Sequence, residues 1–384
     1  MLYWLWFAML PGLSLGQKQA LLEHFSDPEE IYHTQNLPID AELDKDLTQA
    51  QTVFQMCRRK DVGILPYGDK GYPSRLRNIS DPPLVLYYQG ILPDFEQQPA
   101  IGVVGTRKAT PYGGNTAKRI SAQIAACGGL VISGGAAGID ARALEGALEE
   151  GAPAVAILGC GVDVVYPREN RRLFMKIRQT GCLFSEYPPG TGPKPWYFPA
   201  RNRIISGMSN GVLVVEAPEK SGALITARDA MEQGRDVYAV PGNIDVETCR
   251  GSNMLLQEGA YAAFSGWDTL KAYEAQYPGI AKHSNRQQET VGEAVGVFRQ
   301  QPAIFDKKDV DIPETKPYSV MDNTSTDLSQ QEMQLLSCMS REPVPIDTVI
   351  AKVQLPANTV LSMLTKLALR GLVVNHPGKL VSRK

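Results

Sequence analysis

The sequence predicts an α/β protein built on a doubly wound, mostly parallel sheet, with a small helical module before it and a helix-and-hairpin module after it. Three observations predict this. Between Ala100 and Ala263 short aliphatic runs alternate with helical stretches, each run ending in Gly or a polar turn. Residues 1 to about 60 carry helical apolar spacing instead. After residue 327 three helical stretches precede two short strands.

In chain order, Met1–Leu10 is an apolar opening segment whose first positive charge is Lys18. A signal peptide would place a cationic region before the apolar run, so a buried helix is expected. Leu10-Pro-Gly-Leu13 reads as a turn, Gln17–Phe25 as an amphipathic helix and Leu43–Arg58 as a second one. This pair resembles a helix-hairpin-helix or sterile-alpha-motif-like module. Gly63–Gly90 is rich in Pro, Gly and Tyr and reads as turns plus one strand, Leu84–Tyr88.

The sheet strands are expected at Ile101–Val104, Leu130–Ile132, Ala154–Leu158, Cys182–Phe184, Val212–Val215 and Val237–Val240. Unbroken aliphatic runs of this length suit strands buried on both faces, and the intervening helices imply parallel pairing, as in Rossmann-like sheets. Tyr273–Asp327 has a linker texture, with one short helix expected near Val291–Arg299. Ser329–Met339, Ile346–Lys352 and Ala357–Arg370 read as helices, and Leu372–Asn375 and Lys379–Ser382 as a hairpin through His376-Pro-Gly. Three helices followed by a hairpin form the winged-helix pattern. The expected domains are 1–62, helical; 63–270, Rossmann-like; 271–326, linker; and 327–384, winged helix.

Composition bounds the function. The chain has 384 residues, 43% hydrophobic and 21% charged, with 39 Lys and Arg against 41 Asp and Glu, a net charge of −2. A polyanion site must therefore be a local basic cluster on a near-neutral body. The six cysteines show no metal-type spacing and read as buried hydrophobes in a reducing compartment, which implies a cytoplasmic protein. No stretch approaches the roughly 20 apolar residues that span a bilayer.

The strand-to-helix loops carry the chemistry. Gly105-Thr106-Arg107 offers backbone N–H groups, a hydroxyl and a forked cation to a phosphate. Ser133-Gly134-Gly135 opens a run of small residues that leads into a helix and leaves room for an anion at its positive end. Neither loop has the dinucleotide or P-loop spacing. The loop from Glu186 to Ser206 interleaves Lys194, Arg201 and Arg203 with Tyr187, Trp196, Tyr197 and Phe198. Cations for a phosphate track beside rings on which bases stack are what single-strand binding needs. The plainer account is that the rings cover the sheet edge and the arginines pair with Glu186 or Glu216. Convergence of several such loops on one sheet edge favours binding. Ser221 and Gly222 either hold a phosphate or cap the next helix, and capping alone is the expectation for Thr226.

Catalytic machinery is not evident. His24, His33, His283 and His376 all lie outside the sheet region, and no Ser sits in a G-x-S-x-G elbow. Asp140, Asp163, Glu186 and Glu216 are as well placed to cap helices or pair with arginines as to move protons. The reading from these residues is a binding protein without enzymatic activity or cofactor.

Taken together, Gly105-Thr-Arg107, Ser133-Gly-Gly-Ala-Ala-Gly-Ile-Asp140, Leu158-Gly-Cys-Gly-Val-Asp163 with Tyr166-Pro167, Ser185-Glu-Tyr-Pro-Pro-Gly190, Phe198-Pro-Ala-Arg-Asn-Arg-Ile-Ile205, Val215-Glu-Ala217, Ser221-Gly-Ala-Leu-Ile-Thr-Ala227 and Ala239-Val-Pro-Gly242 closely resemble the DprA/Smf (DNA processing protein A) family. The match runs in order from about Pro66 to Phe264. The resemblance implies a homodimer that binds single-stranded DNA, protects incoming strands from nucleases and loads RecA recombinase during natural transformation. It points to Arg107 and Lys194 as phosphate contacts, with Arg201, Asn202 and Arg203 nearby. With the loop residues above, the expected DNA-binding set is Gly105, Thr106, Arg107, Ser133, Gly134, Gly135, Lys194, Phe198, Arg201, Asn202, Arg203, Ser221 and Gly222.

Two departures stand out. Thr106 replaces the family's usual Ser, which keeps the hydroxyl, and Leu144 replaces its usual His, which argues against proton transfer on that helix. The competing reading is a Rossmann-like nucleotide-cleaving enzyme of the lysine-decarboxylase-type phosphoribohydrolases, whose Pro-Gly-Gly-x-Gly-Thr signature this sequence lacks. A third reading makes the winged helix a duplex reader, but its expected third helix offers Lys366 and Arg370 among mostly apolar residues.

Overall fold

The computed structural model describes residues 1–39, 42–280, 330–340, 342–353, 360, 363, 364, 366–368, 372–376 and 380–383. The chain divides into two compact units, Met1–Pro302 and Ala303–Lys384.

The first unit opens with helices α1 (Leu2–Met9), α2 (Leu15–His24), α3 (Pro28–His33) and α4 (Thr48–Arg59). The apolar opening segment is the expected buried helix, with Trp4, Leu5, Trp6 and Phe7 inside. A capping box formed by Ser14 and Gln17 starts α2 two residues ahead of the expected position. α3 is additional to the expected pair: Asp27 caps it and Pro28 pre-sets its first turn. α4 starts at Thr48 rather than Leu43. Before it, Asp44 and Asp46 each accept the backbone N–H two residues on, a local alternative to the helix.

The sheet has nine strands in the order β1-β2-β6-β5-β4-β3-β7-β8-β9. β1 (Gly63–Pro66) and β2 (Val85–Gly90) form an antiparallel hairpin on one edge, separated in the chain by the short helix α5 (Ser74–Arg77). The others are β3 (Ala100–Val104), β4 (Leu130–Ser133), β5 (Ala154–Leu158), β6 (Cys182–Ser185), β7 (Gly211–Val214), β8 (Asp236–Ala239) and β9 (Tyr261–Ala262), paired in parallel. Helices α6 (Pro111–Ala126), α7 (Ile139–Glu149), α8 (Arg171–Thr180), α9 (Tyr197–Met208), α10 (Gly222–Glu232) and α11 (Arg250–Gln257) connect them. The six expected strands are present. β1 and β9 are short edge strands with weak aliphatic signal, which is why the sequence pattern missed them.

Period-2 alternation divides the strands between two cores. Ile101 and Val103 of β3, with Ala154, Ala156 and Leu158 of β5, join one cluster. Ala100 and Val104, with Val155 and Ile157, join the other. The N-terminal helices share the first cluster with the sheet through Trp4, Phe7 and Leu21. Residues 271–280, expected to begin a linker, are packed: Tyr273 Oη donates to Asp236 Oδ2 at 2.5 Å, and Tyr277 and Ile280 are buried. The helix expected near Val291–Arg299 lies outside the described residues.

The winding reverses between β3 and β7. Such a switch point leaves a crevice outside the carboxyl ends of the two strands, and every loop from a parallel strand's carboxyl end opens on that side of the sheet.

The second unit holds α12 (Gln330–Ser337) and α13 (Ile346–Val353). Val360, Met363, Leu364 and Leu367 are helical and buried where the third helix was expected. β10 (Val344–Pro345), β11 (Val373–His376) and β12 (Leu380–Arg383) form an antiparallel sheet in the order β10-β12-β11. The fold is a winged helix. The His376-Pro-Gly turn expected between the last strands falls on residues 377–379, outside the described set.

Candidate functional site

Four loops converge at the switch point. The loop after β3 is stitched to the loop after β7 by Glu216, a fully buried residue. Its carbonyl accepts the Thr106 N–H at 2.7 Å, and its carboxylate accepts the Thr110 N–H at 2.9 Å and the Thr248 hydroxyl at 2.5 Å. Gly105 is required by close approach: a Cβ there would lie 2.6 Å from Ile139 Cγ1 and 2.8 Å from the Glu216 carbonyl.

The loop after β4 serves as the floor. Ser133 Oγ turns back into the sheet and donates to the Val103 carbonyl at 2.7 Å. Gly134 is wedged between two charged side chains, since a Cβ would fall 2.5 Å from Asp140 Oδ2 and 2.6 Å from both terminal nitrogens of Arg201. Arg201 is only 4% exposed. Its Nη1 donates to the carbonyls of Gly134 and Ile157, while Nε has no protein partner. Burial pushes the Arg201 guanidinium down to about 10, against the opposing pull of Asp140. Burial likewise raises the Asp140 carboxyl above its ordinary value, against the attraction of Arg201.

A pocket of about 360 Å³ lies over this floor. Gly105, Thr106 and Arg107 line one side, Phe198 and Asn202 of α9 another, and Lys220, Ser221 and Gly222 a third. Ser221 is the N-cap of α10, accepting the Ala223 N–H at 3.3 Å, so the positive end of an 11-residue helix opens into the pocket. The Thr226 hydroxyl points back to the Gly222 carbonyl at 3.4 Å. Asn202 Nδ2 donates to the same carbonyl at 3.2 Å and so locks α9 to α10.

Arg107 borders this pocket and two adjoining ones. Its guanidinium lies 5.4 Å from the centroid of the Phe198 ring. Phe198 in turn packs on Tyr166, centroids 5.4 Å apart, and Tyr166 is 40% exposed. Gly134 and Gly135 line the pocket beneath those rings.

Lys194 and Trp196 project from the loop after β6. Lys194 Nζ lies 5.7 Å from the Trp196 ring and 5.3 Å from the Tyr197 ring. Tyr197 stacks on Tyr187 at 3.9 Å, which leaves Trp196, 63% exposed, as the outward ring. Arg203 does not line these pockets. It grips Glu186 with Nη2 and Nη1 at 2.7 and 3.0 Å, and Asp81 with Nε at 2.9 Å. Desolvation opposes its charge, but the two carboxylates hold its pKa above the ordinary arginine value.

The structure thus brings together Gly105, Thr106, Arg107, Phe198, Arg201, Asn202, Ser221 and Gly222 around one pocket, with Gly134 and Gly135 in the next. Lys194 stands on the rim loop, Ser133 below the surface and Arg203 in a carboxylate clasp. Sequence reasoning did not single out Tyr166 or Lys220 for the site. Their signal was position: each follows a parallel strand on the same side of the sheet. Among the described residues no helix is long and apolar enough to cross a membrane.

Comparison with known proteins places this geometry in context. The model of the DNA recombination-mediator protein A family matches residues 63–274, and that of the DprA winged helix domain matches residues 321–379. Protein Smf of Synechocystis sp. is 33% identical over 399 aligned residues, covering 100% of this chain and 98% of that protein. The X-ray structure of DNA processing protein A from Streptococcus pneumoniae superimposes with a TM-score of 0.61 at 33% identity, covering 71% of this chain and 97% of that one. DNA processing protein A from Helicobacter pylori, solved for its single-stranded DNA binding mode, gives a TM-score of 0.51 at 28% identity, covering 56% and 97%.

Proposed function

The chain belongs to the DNA recombination-mediator protein A family, and on that footing we propose that it binds single-stranded DNA along the carboxyl edge of its sheet. In this reading it protects incoming strands and loads the RecA recombinase onto them during natural transformation. It does so in the cytoplasm, as a homodimer, with no cofactor and no catalytic step of its own.

The carrying observation is Arg107, set over the Phe198 ring where three pockets adjoin. One guanidinium there serves a phosphate from any of the three while the ring beneath it offers a stacking face. Lys194 and Trp196 supply a second cation–ring pair further along the edge. The α10 N-terminus, Lys220 and the Thr106 hydroxyl add donors for a phosphate inside the pocket. Gly105, Gly134, Gly135 and Gly222 let the strand approach the backbone. Ser133 and Arg201 support the site from below, Asn202 from the α9 wall, and Arg203 holds the base of the rim loop through Glu186. The Helicobacter pylori relative's single-stranded DNA binding supports the ligand class. Tyr261 and Phe264, exposed beside the short edge strand β9, support a dimer contact there. We retain residues 1–62, 63–270, 271–326 and 327–384 as the domain division, except that residues 271–280 pack with the sheet domain, and the winged helix is an auxiliary duplex- or protein-binding module.

The test is titration of labelled single- and double-stranded oligonucleotides with full-length protein at two salt concentrations. Preference for single strands, with affinity falling as salt rises, is expected. Equal affinity for both forms would overturn the reading. Release of free base from nucleoside monophosphates would instead favour the nucleotide-cleaving alternative.

A further inference from the structure

We propose that Lys60, the C-cap residue of α4 in the N-terminal helical module, is a positioning residue for the loop that carries Lys194 and Trp196. The proposal rests on the strand-binding reading of that loop. It assigns the helical module a part in strand binding without requiring that module to touch DNA.

Three segments meet at one carboxylate. Asp163, on the loop after β5, has a side chain only 13% exposed. It accepts from Lys60 Nζ at 2.5 Å through Oδ2 and from the Gly190 N–H at 2.8 Å through Oδ1. Gly190 belongs to the loop after β6, four residues before Lys194. The two loops are also joined by backbone, with the Gly161 N–H donating to the Thr191 carbonyl at 2.9 Å. The loop runs directly against α4: a Cβ on Gly190 would lie 3.7 Å from Met56 Sδ and 3.9 Å from Lys60 Nζ. Gly190 itself sits at φ +83°, in the left-handed region that favours glycine. Burial alone would raise the Asp163 carboxyl, but Lys60 and the Gly190 N–H hold it below its ordinary value.

Between this brace and the Tyr187–Tyr197 stack, Gly192 to Trp196 are all exposed. The exposed stretch is therefore pinned at two points, one of them made by the helical module. An exposed ion pair between Lys and Asp adds little to stability. This pair differs in that its carboxylate is also the acceptor that fixes the loop backbone. Losing Lys60 leaves Asp163 without its cation and free to turn towards water, which releases the Gly190 N–H.

The experiment uses the full chain and its Lys60→Ala, Lys60→Arg and Asp163→Asn variants. Anisotropy of a labelled oligo-dT strand across a salt series gives affinity and salt slope. Hydrogen exchange of residues 187–197 gives loop order without DNA. Lys60→Ala and Asp163→Asn are expected to weaken binding roughly two- to thirtyfold, the range of coupling through residues that touch no ligand. The salt slope should stay at the wild-type value, exchange at Gly190 should quicken, and Lys60→Arg should restore both affinity and exchange. Unchanged affinity in Lys60→Ala would overturn the proposal. So would a salt slope lower by about one unit, because Lys60 would then be a phosphate contact itself. If the unaltered protein binds no strand, the strand-binding reading fails first, and the exchange data still report whether Lys60 braces the loop.

Discussion

The guanidinium of Arg107 lies over the ring of Phe198, 5.4 Å from its centroid, and so joins the loop after β3 to the first turn of α9. The contact places a fixed cation and an aromatic face at one point of the sheet edge. Replacing Arg107 by Ala should lower the salt slope of strand binding by about one unit as well as the affinity. Replacing it by Lys keeps the charge but loses the planar stacking on Phe198, so the slope should hold while affinity still falls. Equal slopes for wild type and Arg107→Ala would refute a phosphate contact at Arg107.

Trp196 and Lys194 separate ring from cation. Trp196→Ala is expected to cost about 1–3 kcal/mol of binding, the contribution of one stacked base, with no change in salt slope. Lys194→Ala should lower the slope instead. The outward ring should also be quenched when a strand binds. Loss of quenching in Trp196→Ala, with Trp4, Trp6 and Trp267 retained, checks the assignment by fluorescence titration.

Arg203 behaves differently because two carboxylates already hold it. Removing it strands Glu186 at the base of the rim loop. Arg203→Ala should therefore destabilise the fold by about 2 kcal/mol, between the exposed and buried limits for ion pairs. Its salt slope should equal that of wild type. Chemical denaturation and the same strand titration test the two halves, and a reduced slope in this variant would make Arg203 a direct phosphate contact.

Asp140 predicts a pH dependence. Its folded pKa is raised by burial, so its favourable contribution is fully present below the unfolded value near 3.8 and is lost as pH rises through the folded value. Unfolding free energies of wild type and Asp140→Asn, measured from pH 3.5 to 7, should converge or cross in that direction, wild type losing ground as pH rises. A wild type that gains on the variant over the same window would mean that Arg201, rather than burial, dominates the carboxyl.

Much of the fold was legible because the central strands are buried on both faces. A run such as Ile101–Val104 has to be aliphatic throughout, and such runs are visible without any partner. The edge strands β1 and β9 were not, since edge strands tolerate Gly, Pro and polar residues. The loops' residue types revealed that glycines, cations and rings gather on one side of the sheet. They did not reveal which arginine is free. Arg203 and Arg201 lie two apart on α9, yet one is clasped by Asp81, far away in the chain, and the other is sealed beneath Gly134. Only the tertiary fold decides between those fates. Tyr166, quoted only as part of the Tyr166-Pro167 pair, was not assigned to the site for the same reason, because its ring joins the site through Phe198.

The reversal between β3 and β7 also has a mechanical consequence. The loops on either side of the pocket hang from the same ends of two neighbouring parallel strands, so a force that spreads them acts across the strands and would open the β3–β7 ladder one hydrogen bond after another from that end. The bonds from the Thr106 N–H to the Glu216 carbonyl and from the Thr110 N–H to the Glu216 carboxylate tie the loops beyond the last rung and take that load first. Pulling the protein by handles placed in the two loops should therefore yield a lower rupture force in Glu216→Ala than in wild type.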